Sequence, residues 1–405
     1  MIKKLLGALL VASLLMMSCE KDPDNGNTVP PPPPEVTPGG NGGNEEENNE
    51  DEKPPVGTTL CTDIGQTPII LAYYTENSPE LPDPTLLTHI NYAHGRFVDP
   101  DNGTGGIWID KPELMQKVIA LKSKNPKLKV MLMIGGWGKK ADGFSMMARD
   151  AAKRTEFCQS VNEHIKNYGL DGVDIDWEYP TYSAEGTGAS SADTKNFNIL
   201  LKELRETIGT GKIISFASSA SAKYVDWPEA IKYIDYVNVM TYDMGAAPNG
   251  HNSPLHRSTV FDQRSCDESI DLHVKAGVPV GRQNLGVPFY GKAEKNPTVK
   301  IYEYTVNYNE MASILNDHWY AKLKKDVTGY NIRRWDPQAK VPYLTDMANR
   351  ILLSYDDPES VTAKGEFVGE KKLLGAMFWE YRHDDSQHSL LKALVKAVYG
   401  KESVL

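Results

Sequence analysis

Cysteine is nearly absent from this sequence, with four in 405 residues, at Cys19, Cys61, Cys158 and Cys266. So low a count excludes a disulfide-built domain, and the spacings fit no metal-binding pattern. Cys158 and Cys266 read as small buried apolar residues. Positive charge is not in excess either, since 44 Lys and Arg face 54 Asp and Glu. A basic surface for nucleic acid is therefore not expected. The apolar run from Leu5 to Met17 is too short to span a bilayer, and no second one follows. No glycine-rich nucleotide loop follows the first strand-like segment, which counts against an open, doubly wound sheet.

What is present divides the chain in three. The formal net charge is −10, and ten acidic residues against two lysines between Glu20 and Leu60 account for most of it. The remainder is close to balanced, with the 40% hydrophobic content of a protein that has a core. Lys3 and Lys4, the apolar run and Ser18-Cys19 form the charged, apolar and small-residue regions of a secretory signal over residues 1–19. A cysteine at the cleavage point resembles a bacterial lipoprotein signal, which implies Cys19 as the lipid attachment site. It also implies export and anchoring to the outer membrane through that lipid alone. The acidic residues just after it, Glu20, Asp22 and Asp24, are compatible with a surface-exposed position. Residues 20–60 are rich in Pro, Gly, Asn and Glu, with five prolines from Pro30 to Pro34. Such a segment buries too little apolar surface to offset its ordering entropy and reads as a tether.

From residue 61 to 405 short apolar runs alternate with amphipathic stretches. Strands are expected at Ile69–Tyr74, His89–Ala93, Lys129–Gly135, Gly172–Trp177, Ile213–Ala217, Tyr236–Thr241, Leu285–Phe289 and Leu374–Phe378. Several are apolar on both faces, as strands buried in a parallel sheet must be. Helical patterns lie between them, at Pro112–Ser123, Ala151–Lys166, Thr194–Thr207 and Asp267–Lys275. The fold class expected is α/β, a (β/α)8 TIM barrel. The interval after the seventh strand is too long for one crossover. A small α+β insertion at about 292–345 is expected there, with a helix near Tyr343 to Leu353.

The run Asp171-Gly172-Val173-Asp174-Ile175-Asp176-Trp177-Glu178-Tyr179-Pro180 carries the chemistry. Residues two apart on a strand share a face, so Asp174, Asp176 and Glu178 project together while Val173, Ile175 and Trp177 face the helices. Carboxylates this close cannot all ionise cheaply, so at least one stays protonated near neutral pH and can act as a general acid. Barrel enzymes place catalysis at the end of the sheet where Glu178 stands. Three carboxylates also suit a divalent cation, but acid catalysis needs none, and no metal or cofactor is expected.

The same run resembles the D-x-x-D-x-D-x-E signature of the family-18 glycoside hydrolases, the chitinases and their relatives. The resemblance extends over residues 66 to 400 through Leu87-Thr88-His89-Ile90-Asn91-Tyr92-Ala93, Ile134-Gly135-Gly136-Trp137 and Val239-Met240-Thr241-Tyr242-Asp243. It continues in Leu285-Gly286-Val287-Pro288-Phe289-Tyr290-Gly291, Ser354-Tyr355-Asp356-Asp357 and Gly375-Ala376-Met377-Phe378-Trp379-Glu380. It implies an endo-acting chitinase with a retaining, substrate-assisted mechanism, acting on chitin or chitooligosaccharides as a monomer. Catalytic roles fall to Glu178, Asp176, Asp174 and Tyr242. Sugar contacts fall to Trp379, Asp243, Met240, Tyr73, Trp137, Tyr290 and Tyr179. The sequence departs from the family at three places. Met133 replaces a usual serine near the first aspartate, His94 a phenylalanine, and Lys292 an arginine whose bidentate sugar contact is then lost. His94, alone on a strand, reads as a satisfied structural residue. Two rival readings are an endo-β-N-acetylglucosaminidase acting on N-glycan chitobiose cores and, from another class, an inactive chitin-binding lectin.

Overall fold

The computed structural model describes residues 60–183, 186–293, 304–309, 332–345 and 351–405. Cys19 and residues 20–59 lie outside the described residues. No described helix is long and apolar enough to cross a membrane.

Fourteen strands are described. The first eight in chain order are β1 (Ile69–Thr75), β2 (His89–Phe97), β3 (Ile107–Ile109), β4 (Lys129–Gly136), β5 (Gly172–Trp177), β6 (Ile213–Ser219), β7 (Tyr236–Met240) and β8 (Gln283–Pro288). After them come β9 (Tyr290–Ala293), β10 (Tyr304–Asn307), β11 (Ile332–Asp336), β12 (Val341–Thr345), β13 (Ile351–Ser354) and β14 (Gly375–Trp379). Parallel pairing runs β1–β2–β4–β5–β6–β7–β8–β14, and β14 pairs back onto β1, so the sheet closes into an eight-stranded barrel. The (β/α)8 expectation is met. Only β3 departs from it, an antiparallel extension of β2 through Arg96 and Trp108.

Period-two alternation divides the barrel's apolar residues into two clusters. The outer one joins Val173, Ile175, Trp177 and Phe216 to helix residues such as Phe157 and Leu201. An inner one holds Leu71, Tyr73, Met131, Met133, Ile213, Tyr236 and Met377. Trp177 stacks on Phe144 at 5.2 Å, which sends its neighbours Asp176 and Glu178 to the other face. The connecting helices end on recognisable signals. For helix Ala151–Tyr168 the Asp150 carboxylate accepts from the Ala152 and Lys153 amides at 2.9 and 3.1 Å, and Gly169 closes it at φ 69°. Gly135 must be glycine, because its φ is +103° and a Cβ there would stand 2.1 Å from the Asp176 carbonyl oxygen.

Between β8 and β14 the described strands form a second, antiparallel sheet in the order β10–β9–β13–β12–β11. Among the described residues of the stretch near Tyr343 to Leu353, where a helix is expected, the chain is strand instead. Described residues there belong to β12 and β13, paired through Leu344 and Leu353, both fully buried. The helical spacing was misleading because β-branched Val341 and Thr345 sit on a strand paired on both sides, by β11 before it and β13 after it.

Two acidic residues of the Ser354-Tyr355-Asp356-Asp357 motif prove structural. Asp357 caps the helix Pro358–Glu370, accepting from the Glu359 and Ser360 amides at 3.1 Å each. Asp356 meets the Lys364 ammonium at 2.6 Å with neither side chain exposed, and Lys364 also donates to Ser253 at 2.8 Å. Removing one partner strands a buried charge. Lys364→Met is expected to lower unfolding free energy by about 3–5 kcal/mol, with the added change Asp356→Leu recovering much of it. Urea titration of the three proteins measures this, and a single variant as stable as wild type would refute it.

Candidate active site

The carboxylate strand ends at the floor of a cleft of about 860 Å³ at the C-terminal end of the barrel. Strand β5 is buried along its whole length, so its acids are held away from water. Asp174, the deepest, is fully buried and well anchored. Its Oδ2 accepts from the Tyr73 hydroxyl at 2.9 Å, and its Oδ1 accepts from Ser215 at 2.5 Å and the Asn238 amide at 3.1 Å. Burial nevertheless pushes its pKa up to about 6. Asp176 lies one step outward. Among the described residues its Oδ1 is buried without a hydrogen-bond partner. Burial, then the neighbouring charges of Glu178 and Asp174, push its pKa well above the carboxylate range.

Glu178 is last in the series and only 9% exposed. Burial raises its pKa to about 7, against the opposing effects of a Tyr179 hydrogen bond and the Lys140 charge. An acid that keeps its proton to neutrality is what glycosidic oxygen protonation needs. The sign is simple: the protonated form dominates below pH 7 and is lost as pH rises through it. The basic limb of kcat/KM is therefore expected near pH 7, as a pH–rate profile would show; a limb at the ordinary carboxylate value would contradict it.

The other expected site residues are brought to the same place. Tyr73, Trp137, Tyr179, Met240, Tyr242, Asp243, Tyr290 and Trp379 all line the cleft with Asp176 and Glu178. Asp174 lies beneath them, and Cys19 lies outside the described residues. Trp379 stands 5.5 Å from Tyr73, ring to ring, and Tyr242 packs edge-on to Tyr290 at 6.0 Å. Trp137 is 49% exposed and packs edge-on to Tyr179 at 6.4 Å. Asp243 accepts from the Tyr290 hydroxyl at 2.8 Å and pairs with Lys292 at 2.9 Å, so lysine at 292 is engaged within the protein.

Several contributors escaped the sequence reading. Ser215 and Asn238, which hold Asp174, are the polar members of the inward faces of β6 and β7. Their signal was there, as polar residues in period two on otherwise apolar strands. Met133 sits beside Asp174 in the β4–β5 register. The hydroxyl expected from that position comes instead from Ser215. Tyr182 and Tyr224 join the cleft from loops, with Tyr224 stacked on Tyr179 at 5.0 Å and 11°. Lys140, Arg264 and His383 also line it. No sequence pattern marks these loop residues.

His94 is hydrogen-bonded, as expected, but it also faces the cleft. Its ring nitrogens meet Glu76 at 3.1 Å and Lys140 at 3.1 Å. Glu76, His94 and Asp110 each bring a ligand atom within 4.8 Å of the others. Arg96 already holds Asp110 at 2.6 Å and Lys140 holds the far His94 nitrogen, so two cations oppose a metal there.

The model of the glycosyl hydrolases family 18 matches residues 69–384. The chain belongs to that family. Chitinase A1 of Niallia circulans is 30% identical over 404 residues, covering 79% of this chain and 56% of that protein. The chain thus spans little more than half the length of that relative. Among solved structures, a family-18 N-acetylglucosaminidase from Paenibacillus barengoltzii superposes with a TM-score of 0.69 at 32% identity, over 81% of this chain and 99% of that one. The group IV chitinase of Ostrinia furnacalis in complex with allosamidin gives 0.69 at 29% identity, over 83% of this chain and 100% of that one.

Proposed function

We propose that this family-18 protein is an endo-acting chitinase that cleaves β-1,4 bonds between N-acetylglucosamine units with retention of configuration. The observation that carries the reading is Glu178, a carboxyl group with its pKa raised to about 7 at the floor of an aromatic-walled cleft. Likeness to chitinase A1 and to the allosamidin-bound chitinase supports the substrate class.

In this mechanism Glu178 gives its proton to the glycosidic oxygen as the bond to the anomeric carbon breaks. The carbonyl oxygen of the sugar's own 2-acetamido group forms the new bond to that carbon, producing an oxazolinium ion. Water, deprotonated by the Glu178 carboxylate, then opens the ion from the face the leaving group vacated. Proton and electron pairs return to their starting places, and the β-configuration is kept. Asp176 is suited to accept the acetamide N–H, because its buried Oδ1 has no partner among the described residues. Its negative charge stabilises the developing cation. Asp174 shares a proton with it. Tyr242 donates to the acetamide oxygen, and Trp379 supports the pyranose face. A cleft of this size accommodates several sugars, which suits internal cleavage.

Hydrolysis of chitin oligosaccharides and of an N-glycoprotein by the chain tests the substrate. Cleavage of the oligosaccharides alone, at internal bonds, supports the reading. Cleavage of the glycoprotein alone would move the substrate to N-glycan cores, and binding without cleavage would make the chain a lectin. Export and lipid anchoring through Cys19 are part of the same proposal, resting on the sequence around Lys3 to Cys19. Loss of fatty-acid labelling in Cys19→Ser is the expected result; undiminished labelling would refute it.

A further inference from the structure

Asn284 and Asn238 stand directly opposite each other in the β7–β8 register, and both are fully buried. Their neighbours Val237, Val239, Leu285 and Val287 belong to the outer cluster, so period two turns the two amides into the barrel. The Asn284 Nδ2 donates to the Asn238 Oδ1 at 2.9 Å. With its oxygen so occupied, Asn238 turns its Nδ2 the other way. That nitrogen donates to the Tyr73 hydroxyl oxygen at 3.2 Å and to Asp174 Oδ1 at 3.1 Å. Tyr73 gives its own proton to Asp174 Oδ2, which leaves its oxygen free to accept. Asn284 is thus one side chain removed from Asp174 and acts on it through Asn238.

An amide can present either end, so the direction of this row needs a cause. The hydroxyls of Tyr73 and Ser215 supply none, because a hydroxyl donates or accepts as it rotates. Reversing both amides would turn the Asn238 oxygen onto Asp174. It would also put the two N–H groups of Asn284 where its oxygen now lies, a buried position without a hydrogen-bond partner among the described residues. One stranded acceptor is a smaller loss than two stranded donors, so the row keeps its N–H groups toward Asp174. A donor in that place favours the Asp174 carboxylate, whereas an amide oxygen would favour the protonated form. Tyr73, Tyr236 and Tyr242 also face Asp174, and burial holds each well above its usual value, so all three stay neutral. Asp176 is the titrating neighbour with which Asp174 exchanges a proton.

We infer that Asn284 is a positioning residue, which fixes the end of the Asn238 amide that faces Asp174 and so directs the shared proton toward Asp176. The kinetic part of this inference rests on the function proposed above. When the proton leaves the Asp174 oxygen for an Asp176 oxygen, negative charge passes the other way and settles beside the Asn238 N–H. Neither amide lines the cleft, so substrate binding is untouched by the pair. Without the Asn284 donor, Asn238 is free to reverse, accept from protonated Asp174 and hold the proton back.

Carbon-13 NMR of aspartate carboxyl groups in the full chain follows Asp174 directly, its signal being the one missing from Asp174→Asn. The Asp174 midpoint, about 6 in the wild type, is expected to rise by roughly 0.7 in Asn284→Leu and likewise in Asn284→Ala. That is about fivefold in the proton equilibrium, the worth of one neutral hydrogen bond. On chitin oligosaccharides kcat should fall by about the same fivefold with KM unchanged. Neither substitution should cost anything further once Asn238→Leu is in place. Folded variants that keep the wild-type midpoint overturn the inference. A loss that persists in full beside Asn238→Leu also overturns it, because Asn284 would then act by packing alone. If the wild-type chain cuts no oligosaccharide, the proposed function falls, while the titration still decides the role of Asn284.

Discussion

Glu178→Gln is expected to lower kcat on chitin oligosaccharides by about three to four orders of magnitude while KM changes little. Glutamine keeps the shape and the hydrogen bonds of the buried side chain but has no proton to give and no carboxylate to activate water. Both half-reactions lose the same group, which is why this is the largest single effect anticipated. The same variant should be more stable than wild type above pH 7. A carboxyl whose pKa rises from 4.5 to about 7 on folding binds its proton more tightly in the folded state. Its favourable contribution is complete below the unfolded value and is lost as pH rises through 7. Glutamine has no such charge to bury. Thermal melts at about pH 5 and about pH 8 should therefore diverge, with the variant ahead only at the higher pH. Retention of more than a tenth of wild-type kcat would remove Glu178 from the acid role.

Asp176→Asn is expected to cost about two to three orders of magnitude, mostly in kcat. Its Oδ1 is buried and without a partner among the described residues, a costly arrangement that a bound acetamide N–H would relieve. Asparagine can be held in the same place, but it brings no negative charge to the developing oxazolinium and cannot take up a proton from Asp174. The comparison with Asp174→Asn is informative. Asp174 is locked by Tyr73, Ser215 and Asn238, so its replacement disturbs an existing network as well as the proton it shares. A loss confined to KM in Asp176→Asn would show that Asp176 merely binds substrate.

Much of the barrel and of its carboxylate strand was legible before any tertiary contact was known. Doubly apolar runs such as Val130 to Ile134 belong inside a parallel sheet on any solution, because both of their faces must be covered. The alternation of Asp174, Asp176 and Glu178 with Val173, Ile175 and Trp177 had one outcome once β5 was a strand, since period two sends the two sets to opposite faces. The stretch from Tyr343 to Leu353 failed for a complementary reason. Its helix-like spacing was a one-segment signal, and what makes it β12 and β13 is pairing with flanking strands, β11 with β12 and β12 with β13, tied to β9 through Ser354 and Lys292.

What the sequence determined by itself, then, was the period-two geometry of the carboxylate strand and the closed barrel, both set by local alternation and burial. Tertiary structure alone decided what surrounds that acid. Ser215 and Asn238 reach Asp174 across 41 and 64 residues of chain, and Lys140 reaches His94 across 46. Closure of the barrel makes these pairs neighbours. Low dielectric and desolvation at the cleft floor then give an ordinary side chain, Glu178, its raised pKa.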